Sequence, residues 1–207
     1  MEFVKTSIPS VTMELIFATN NQHKAEEINS LLPEGFTIIT LKQAGIQIDI
    51  PEPFYTLEAN ACEKASVIYT YTAKNCFGED TGLEVRALNG APGVKSARYA
   101  GEERSDELNR SKLLHSLKAH DDRSAQFRTV ICLLLNGVEH LFEGVCTGQI
   151  AREPRGDRGF GYDPVFIPSG ATKTFAEMDM TKKNTFSHRG KAVSKLVAFL
   201  NHSSVNK

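Results

Sequence analysis

The sequence predicts an α/β fold, and three observations lead there. Short apolar runs of strand length alternate with longer stretches whose apolar residues recur at helical spacing. Capping residues stand at the junctions between them. One long antiparallel hairpin, Ala125 to Ile150 around Asn136-Gly137, is inserted into that alternation.

The elements follow in order. Leu15-Ile16-Phe17-Ala18 reads as a buried strand that runs into the polar stretch Thr19-Asn20-Asn21-Gln22-His23-Lys24. Ala25, Ile28, Leu31 and Leu32 then recur at helical spacing until Pro33 and Gly35 stop them. Phe36 to Leu41 reads as a second strand, and Pro51-Glu52-Pro53 breaks the chain. Thr56 caps a long helix to about Ala73, its inner face formed by Leu57, Ala61, Ala65, Ile68 and Thr72. The next strand ends in Glu79-Asp80-Thr81-Gly82. A tight loop, Leu88 to Gly93, precedes a helix that starts at Ser105-Asp106-Glu107 and ends near Ala119, with Leu108, Leu114 and Leu117 inward.

The hairpin comes next, and a two-residue turn at Asn136-Gly137 sets Cys132 opposite Leu141 rather than Cys146. Arg152 to Gly161 is too rich in Arg and Gly for regular structure. Phe160-Gly161-Tyr162-Asp163-Pro164 leads into a short strand, Val165 to Ile167. Lys182-Lys183-Asn184 reads as a basic loop. Ser187-His188-Arg189-Gly190 opens the last helix, which turns Ala192, Val193, Leu196, Val197 and Leu200 inward.

Composition narrows the function classes. With 207 residues, 41% of them apolar, and no linker or repeat, the chain reads as one domain over 13–203 behind a flexible tail, 1–12. That tail lacks the apolar core of a signal peptide. No apolar run approaches the roughly 20 residues that span a bilayer, so no membrane partner is expected. A net charge of −1 supplies no basic footprint, so direct nucleic-acid binding is not expected either. Cys62, Cys76, Cys132 and Cys146 form no C-x-x-C pair and read as small buried hydrophobes in a reducing, cytoplasmic setting.

The chemistry gathers at element junctions. Glu79 and Asp80 are poor strand formers placed at a strand end, where open α/β sheets bind ligands. Adjacent carboxylates can hold a divalent cation and orient a water, although the same pattern suits an acidic turn. Thr19 to Lys24 sits where a strand meets a helix N-terminus, an anion-favouring position to which Lys24 adds a charge; a capped helix start is the plainer reading. Lys183 and the His188-Arg189 pair add cations at further junctions, where charge-assisted bonds could hold phosphate. Phe160, Tyr162 and Asp163 lie in a glycine-flanked loop, where a ring could stack on a base or instead plug the core.

Together these residues resemble the inosine triphosphate pyrophosphatase family. The motifs are T-N-N-x-x-K at Thr19 to Lys24, P-E with T-L-E-A-N-A around Glu52 to Ala61, and E-D-T-G-L at Glu79 to Leu83. G-A-P-G-x-x-S-A-R at Gly90 to Arg98, F-G-Y-D-P at Phe160 to Pro164 and K-N-x-x-S-H-R at Lys183 to Arg189 complete the set. The resemblance runs from about Met13 to Asn201. It implies a long mixed twisted sheet with flanking helices and two lobes around a nucleotide cleft. It further implies a Mg2+-dependent homodimer that hydrolyses dITP, ITP and XTP to the monophosphate and pyrophosphate.

Residue by residue, the resemblance makes Asp80 the catalytic carboxylate and Thr19, Asn20, Asn21, Gln22, His23, Lys24 and Lys183 the triphosphate contacts. Phe160, Gly161, Tyr162 and Asp163, with His188 and Arg189, become the base pocket. Thr81 joins the substrate contacts, and Asp80, Glu52 and Glu79 are the candidate metal ligands, with their division of labour open. The family often has Gly where Asn20 stands, and bacterial members often have two aspartates and a serine at Glu79-Asp80-Thr81. Both departures keep the chemical type. A related-fold pyrophosphatase for modified pyrimidine or 7-methylguanine nucleotides and a non-enzymatic nucleotide-binding module are the alternatives. Carboxylates in the cleft disfavour the second, because an anion-binding cleft gains from them only through a bridging metal.

Overall fold

The computed structural model describes residues 13–205. The expected tail, 1–12, and the last two residues lie outside the described residues. The strands are β1 (Met13–Phe17), β2 (Phe36–Thr40), β3 (Cys76–Val85), β4 (Pro92–Gly93), β5 (Ser124–Leu135), β6 (Val138–Ile150) and β7 (Phe166–Pro168). The helices are α1 (Gln22–Asn29), α2 (Leu57–Thr72), α3 (Asp106–Ser116), α4 (Met180–Asn184) and α5 (His188–Val205). They form the α/β architecture expected, a mixed sheet with flanking helices.

The sheet order is β2-β1-β3-β5-β6-β7, with β4 paired to β3. β1 runs parallel to β2 and to β3, whereas β3, β5, β6 and β7 pair antiparallel. The chain leaves β1 through α1 toward β2 on one side and returns through α2 to β3 on the other. That makes the carboxyl end of β1 a switch point, where open α/β sheets leave a crevice. β3 outruns β1 there: Phe17 pairs with Phe77, and Glu79 and Asp80 continue beyond.

Alternation then parts neighbours in sequence, because successive strand side chains face opposite sides. Phe77 packs with Leu15, Phe17, Ile28, Ile131, Leu133 and the Ala192, Val193 and Leu196 stripe of α5. On the other face, Leu57, Ala61 and Ala65 of α2 pack on Val130 and Cys132. A second core at the far end of the sheet joins Leu83, Leu113, Leu117, Phe127, Phe166 and Phe175.

Two glycines bring helices unusually close to the sheet. A Cβ at Gly78 would stand 2.1 Å from the Ala61 carbonyl oxygen of α2. A Cβ at Gly144 would stand 2.0 Å from the His188 carbonyl oxygen at the start of α5. Each absent side chain thus seats a helix that carries site residues.

Several expectations need correction: Glu79 and Asp80 lie inside β3, which stays paired with β5 as far as Val85, and not at a strand end. α1 closes at Asn29, with Ser30 as its cap, so Leu31 and Leu32 pack from the following turn. Leu108 is half exposed, and Leu113 takes the inward position beside Leu117. Lys183 lies on the short helix α4 and not in a loop, and Val165 closes a 3-10 turn before β7. Asn136 and Gly137 have φ of 53° and 80°, the two-residue turn read from sequence, and Cys132 faces Leu141. All four cysteines are free thiols, but Cys62 is only partly buried.

Candidate active site

A cavity of about 470 Å³ opens at the carboxyl end of β1. Thr19, Asn20, Asn21 and Lys24 line one side, and Glu52, Glu79, Asp80 and Thr81 lie along it. Phe160, Gly161, Tyr162, Asp163, Lys183, His188 and Arg189 complete it. Residues spread over the chain therefore converge as the motifs suggest. Gln22 and His23 do not line it. Gln22 donates to Glu26 at 3.1 Å, and the exposed His23 ring stacks on Phe160 at 5.3 Å.

Asn21 caps α1 by accepting from the Lys24 backbone N–H at 3.1 Å. That cap holds Lys24 in the first turn, with Nζ 2.5 Å from Glu79 Oε2. The other Glu79 oxygen accepts from Arg189 at 3.0 Å and from the Thr81 hydroxyl. Burial pushes the Glu79 carboxyl up, but Arg189 and Lys24 outweigh it and hold it ionised well below the usual carboxylate range.

Asp80 turns to the opposite face, toward α2. Lys64 Nζ lies 3.0 Å from Asp80 Oδ1, 2.5 Å from Glu52 Oε1 and 3.2 Å from the Glu79 carbonyl oxygen. Asn60 donates to Asp80 Oδ2 at 3.4 Å, and Arg98 to Glu52 Oε2 at 3.3 Å. Burial raises the Asp80 carboxyl above its ordinary value, with Lys64 and Lys24 pulling against it and Glu52 reinforcing it. Burial also pushes Glu52 up, but Lys64, Lys24 and Arg98 overcome it and leave that carboxyl lowered. Two neighbouring carboxylates are thus driven apart in acidity, the pattern of a base beside a permanently charged anchor.

At the other end, Lys183 Nζ bridges Glu27 Oε1 and Asp163 Oδ2, each at 2.6 Å. Glu27 also holds Arg189. The Phe160 backbone N–H donates to Asp163 Oδ2 at 3.0 Å, which fixes the loop beneath the Phe160 ring. Tyr162 is buried instead, its hydroxyl donating to the Ser96 carbonyl at 2.8 Å. The loop's two aromatics thus divide the two readings: Phe160 lines the cavity, and Tyr162 also plugs the core. His188 stacks on Phe127 with ring centres 4.5 Å apart. Burial, then Arg189 and Lys183, keep that imidazole neutral far below its usual range, and its Nδ1 has no hydrogen-bond partner.

Sequence reasoning missed Lys64, Asn60 and Glu27. Each had a signal. Asn60 and Lys64 fall one turn apart inside the apolar stripe of α2, and Glu27 lies beside Ile28 on the buried side of α1. A charged residue on an inward helical face is rarely left unpaired.

The donor set suits a hard divalent cation. Glu52 and Asp80 present carboxylate oxygens to the cavity, and an ammonium already bridges them. Mg2+ commonly takes one or two carboxylates and completes its shell with water and phosphate oxygens. Glu79 is less available, since Lys24, Arg189 and Thr81 hold its two oxygens.

Fold and cleft define a class: an α/β protein with an anion-binding crevice at the switch point of a mixed sheet, where carboxylates alternate with cations. The particular family follows from comparison. The Ham1 family model matches residues 15–199, and the chain belongs to that family. It is 50% identical over 188 residues to the dITP/XTP pyrophosphatase of Porphyromonas gingivalis, covering 90% of this chain and 97% of that one. It is 48% identical to the dITP/XTP pyrophosphatase of Christiangramia forsetii, covering 91% and 99%. The Staphylococcus aureus Ham1 protein superposes with a TM-score of 0.83 at 38% identity, covering 92% of this chain and 100% of that one.

Proposed function

We propose that the protein is a nucleoside-triphosphate pyrophosphatase that hydrolyses dITP, ITP and XTP to the monophosphate and pyrophosphate. It would thereby keep non-standard purines out of DNA and RNA. The observation that carries this reading is the pairing in one cavity of an acid-raised carboxylate, Asp80, with the cations Lys24, Lys64 and Lys183 and the Phe160 ring. The names of the relatives point to the same reaction.

Asp80 and Glu52 would hold Mg2+, with Glu79 as the charged support behind them. When bound, the ion would neutralise phosphate charge and lower the pKa of a bound water. Asp80 orients the attacking water and accepts its proton at a carboxylate oxygen. Lys64 keeps that carboxylate in place. Lys24 and the backbone of Thr19 to Asn21 receive the phosphates at the helix N-terminus. Lys183 adds charge, and Thr81 orients Glu79.

Phe160 stacks on the base, Asp163 accepts from a ring N–H, and His188 with Arg189 presents N–H donors to the 6-oxo oxygen. Adenine offers an amino group there, so donor meets donor at a cost of about 1–3 kcal/mol per unpaired group. Guanine adds a 2-amino group that needs its own acceptor or is excluded by shape. Residues 13–203 would act as one catalytic domain, assembled as a homodimer. The four free thiols fit work on the cytoplasmic nucleotide pool.

The test is kcat/KM for dITP, XTP, dATP and dGTP. We expect the first two to exceed the standard purines by about 10²-fold or more. Equal hydrolysis of dGTP and dITP would reject the base-pocket assignment and favour a pyrophosphatase with other modified-base substrates.

A further inference from the structure

Away from the cleft, two thiols and a carboxylate meet on the α2 side of the sheet. Cys132 and Leu134 share one face of β5, and Glu139 of β6 pairs with Leu134. Cys62 of α2 packs against that same group. The Sγ atoms of Cys62 and Cys132 and a carboxylate oxygen of Glu139 all lie within 4.8 Å of one another. None of the three lines the catalytic cavity.

We propose that Cys62, Cys132 and Glu139 form a second cation site, for a thiophilic divalent ion of the zinc class. Tetrahedral zinc has Zn–S near 2.3 Å and Zn–O near 2.0–2.2 Å, which places ligand atoms about 3.5–3.8 Å apart. Rotamer adjustments of an ångström or so would bring this trio to that spacing. Cys132 is buried, Cys62 partly buried and Glu139 exposed, so the site has a floor, a wall and an entrance. A water would take the fourth position.

The nearby carboxylate Glu58 is already held by Arg128 at 2.5 Å, which leaves Glu139 as the available acid. No Lys or Arg forms an ion pair with Glu139 among the described residues. Burial keeps both thiols protonated in the absence of an ion. Binding replaces two S–H bonds with two metal–thiolate bonds and releases two protons to solvent.

Two sulfurs and one oxygen select differently from the all-oxygen set in the cleft, so the two sites take different ions. Cys62 also stands midway between Asn60 and Lys64, the two α2 side chains that hold Asp80. A bound ion would tie that part of α2 to the hairpin without touching the reaction.

The test is titration of reduced full-length protein with Co2+, in excess Mg2+ to fill the oxygen site. Thiolate ligation gives a near-ultraviolet charge-transfer band that oxygen ligands cannot produce. We expect one such equivalent per chain, displaced by Zn2+, absent in Cys62→Ser and at least about tenfold weaker in Glu139→Gln. Both variants should keep wild-type turnover with Mg2+. No charge-transfer band, or a band that survives Cys62→Ser, would overturn the proposal.

Discussion

Asp80 stands between burial, which favours its protonated form, and Lys64, which favours the carboxylate, and burial prevails. In the metal-free protein an NMR titration should therefore place the Asp80 carboxyl above the ordinary aspartate value, and Mg2+ should draw it back down. Asp80→Asn should lower kcat by at least about 10²-fold and leave the melting curve in place. Near-native turnover in that variant would transfer the base role to another carboxylate.

The buried ions at the other end make a stability prediction. Glu27 and Glu79 are held below the usual carboxylate range, so what they contribute is complete above that range and is lost as pH falls through their folded values. His188 acts earlier. Its folded pKa is depressed, so below about pH 6.5 the unfolded chain takes up a proton that the native chain refuses. The urea midpoint should thus decline from pH 7 downward in two stages. His188→Phe should flatten the first stage. Glu27→Gln leaves Lys183 and Arg189 short of a buried partner and should cost about 3–5 kcal/mol. A midpoint independent of pH between 7 and 5 would contradict the His188 assignment, and one that stays level below about pH 4 would contradict the glutamate assignment.

At the scale of elements, the close approach of α2 to β3 decides whether Lys64 reaches Asp80. Gly78→Ala would force a methyl group against the Ala61 carbonyl. It should destabilise the protein by about 1–3 kcal/mol and lower turnover as α2 moves outward, measurable by melting and kcat together. Unchanged stability would show that the helix can shift at no cost.

Most elements were legible because periodicity and capping agree. Thr56 caps α2, Ser105 caps α3, and the Asn136-Gly137 turn sets the hairpin register. Element ends and inward faces were less so. Leu31 and Leu32 keep helical spacing past the end of α1, and Leu108 fits an inward stripe that packing gives to Leu113. Tertiary contacts decided these, and local pattern cannot.

At the scale of the molecule, the motif residues were legible, but their partnerships were not. Glu79 and Asp80 adjoin in sequence, yet strand alternation sends one to Arg189 and the other to Lys64. Lys183 reads as a loop cation, yet it joins α1 to the aromatic loop through Glu27 and Asp163. The Glu79–Arg189 and Glu27–Lys183 contacts span more than a hundred residues, and no local spacing encodes them. The long hairpin has a similar large-scale consequence. Val138 and Leu141 are half exposed on β6, and we expect this region or the adjoining helices to bury them in a two-fold dimer. Light scattering should give twice the chain mass at micromolar concentration, and a monomer would refute the dimer.

The cleft is built to cut one bond of the triphosphate. Product analysis of dITP turnover, with and without Mg2+, shows which bond that is. We expect dIMP and pyrophosphate in equal amounts, formed only with the metal; dIDP and phosphate would mean that the other bond is cut.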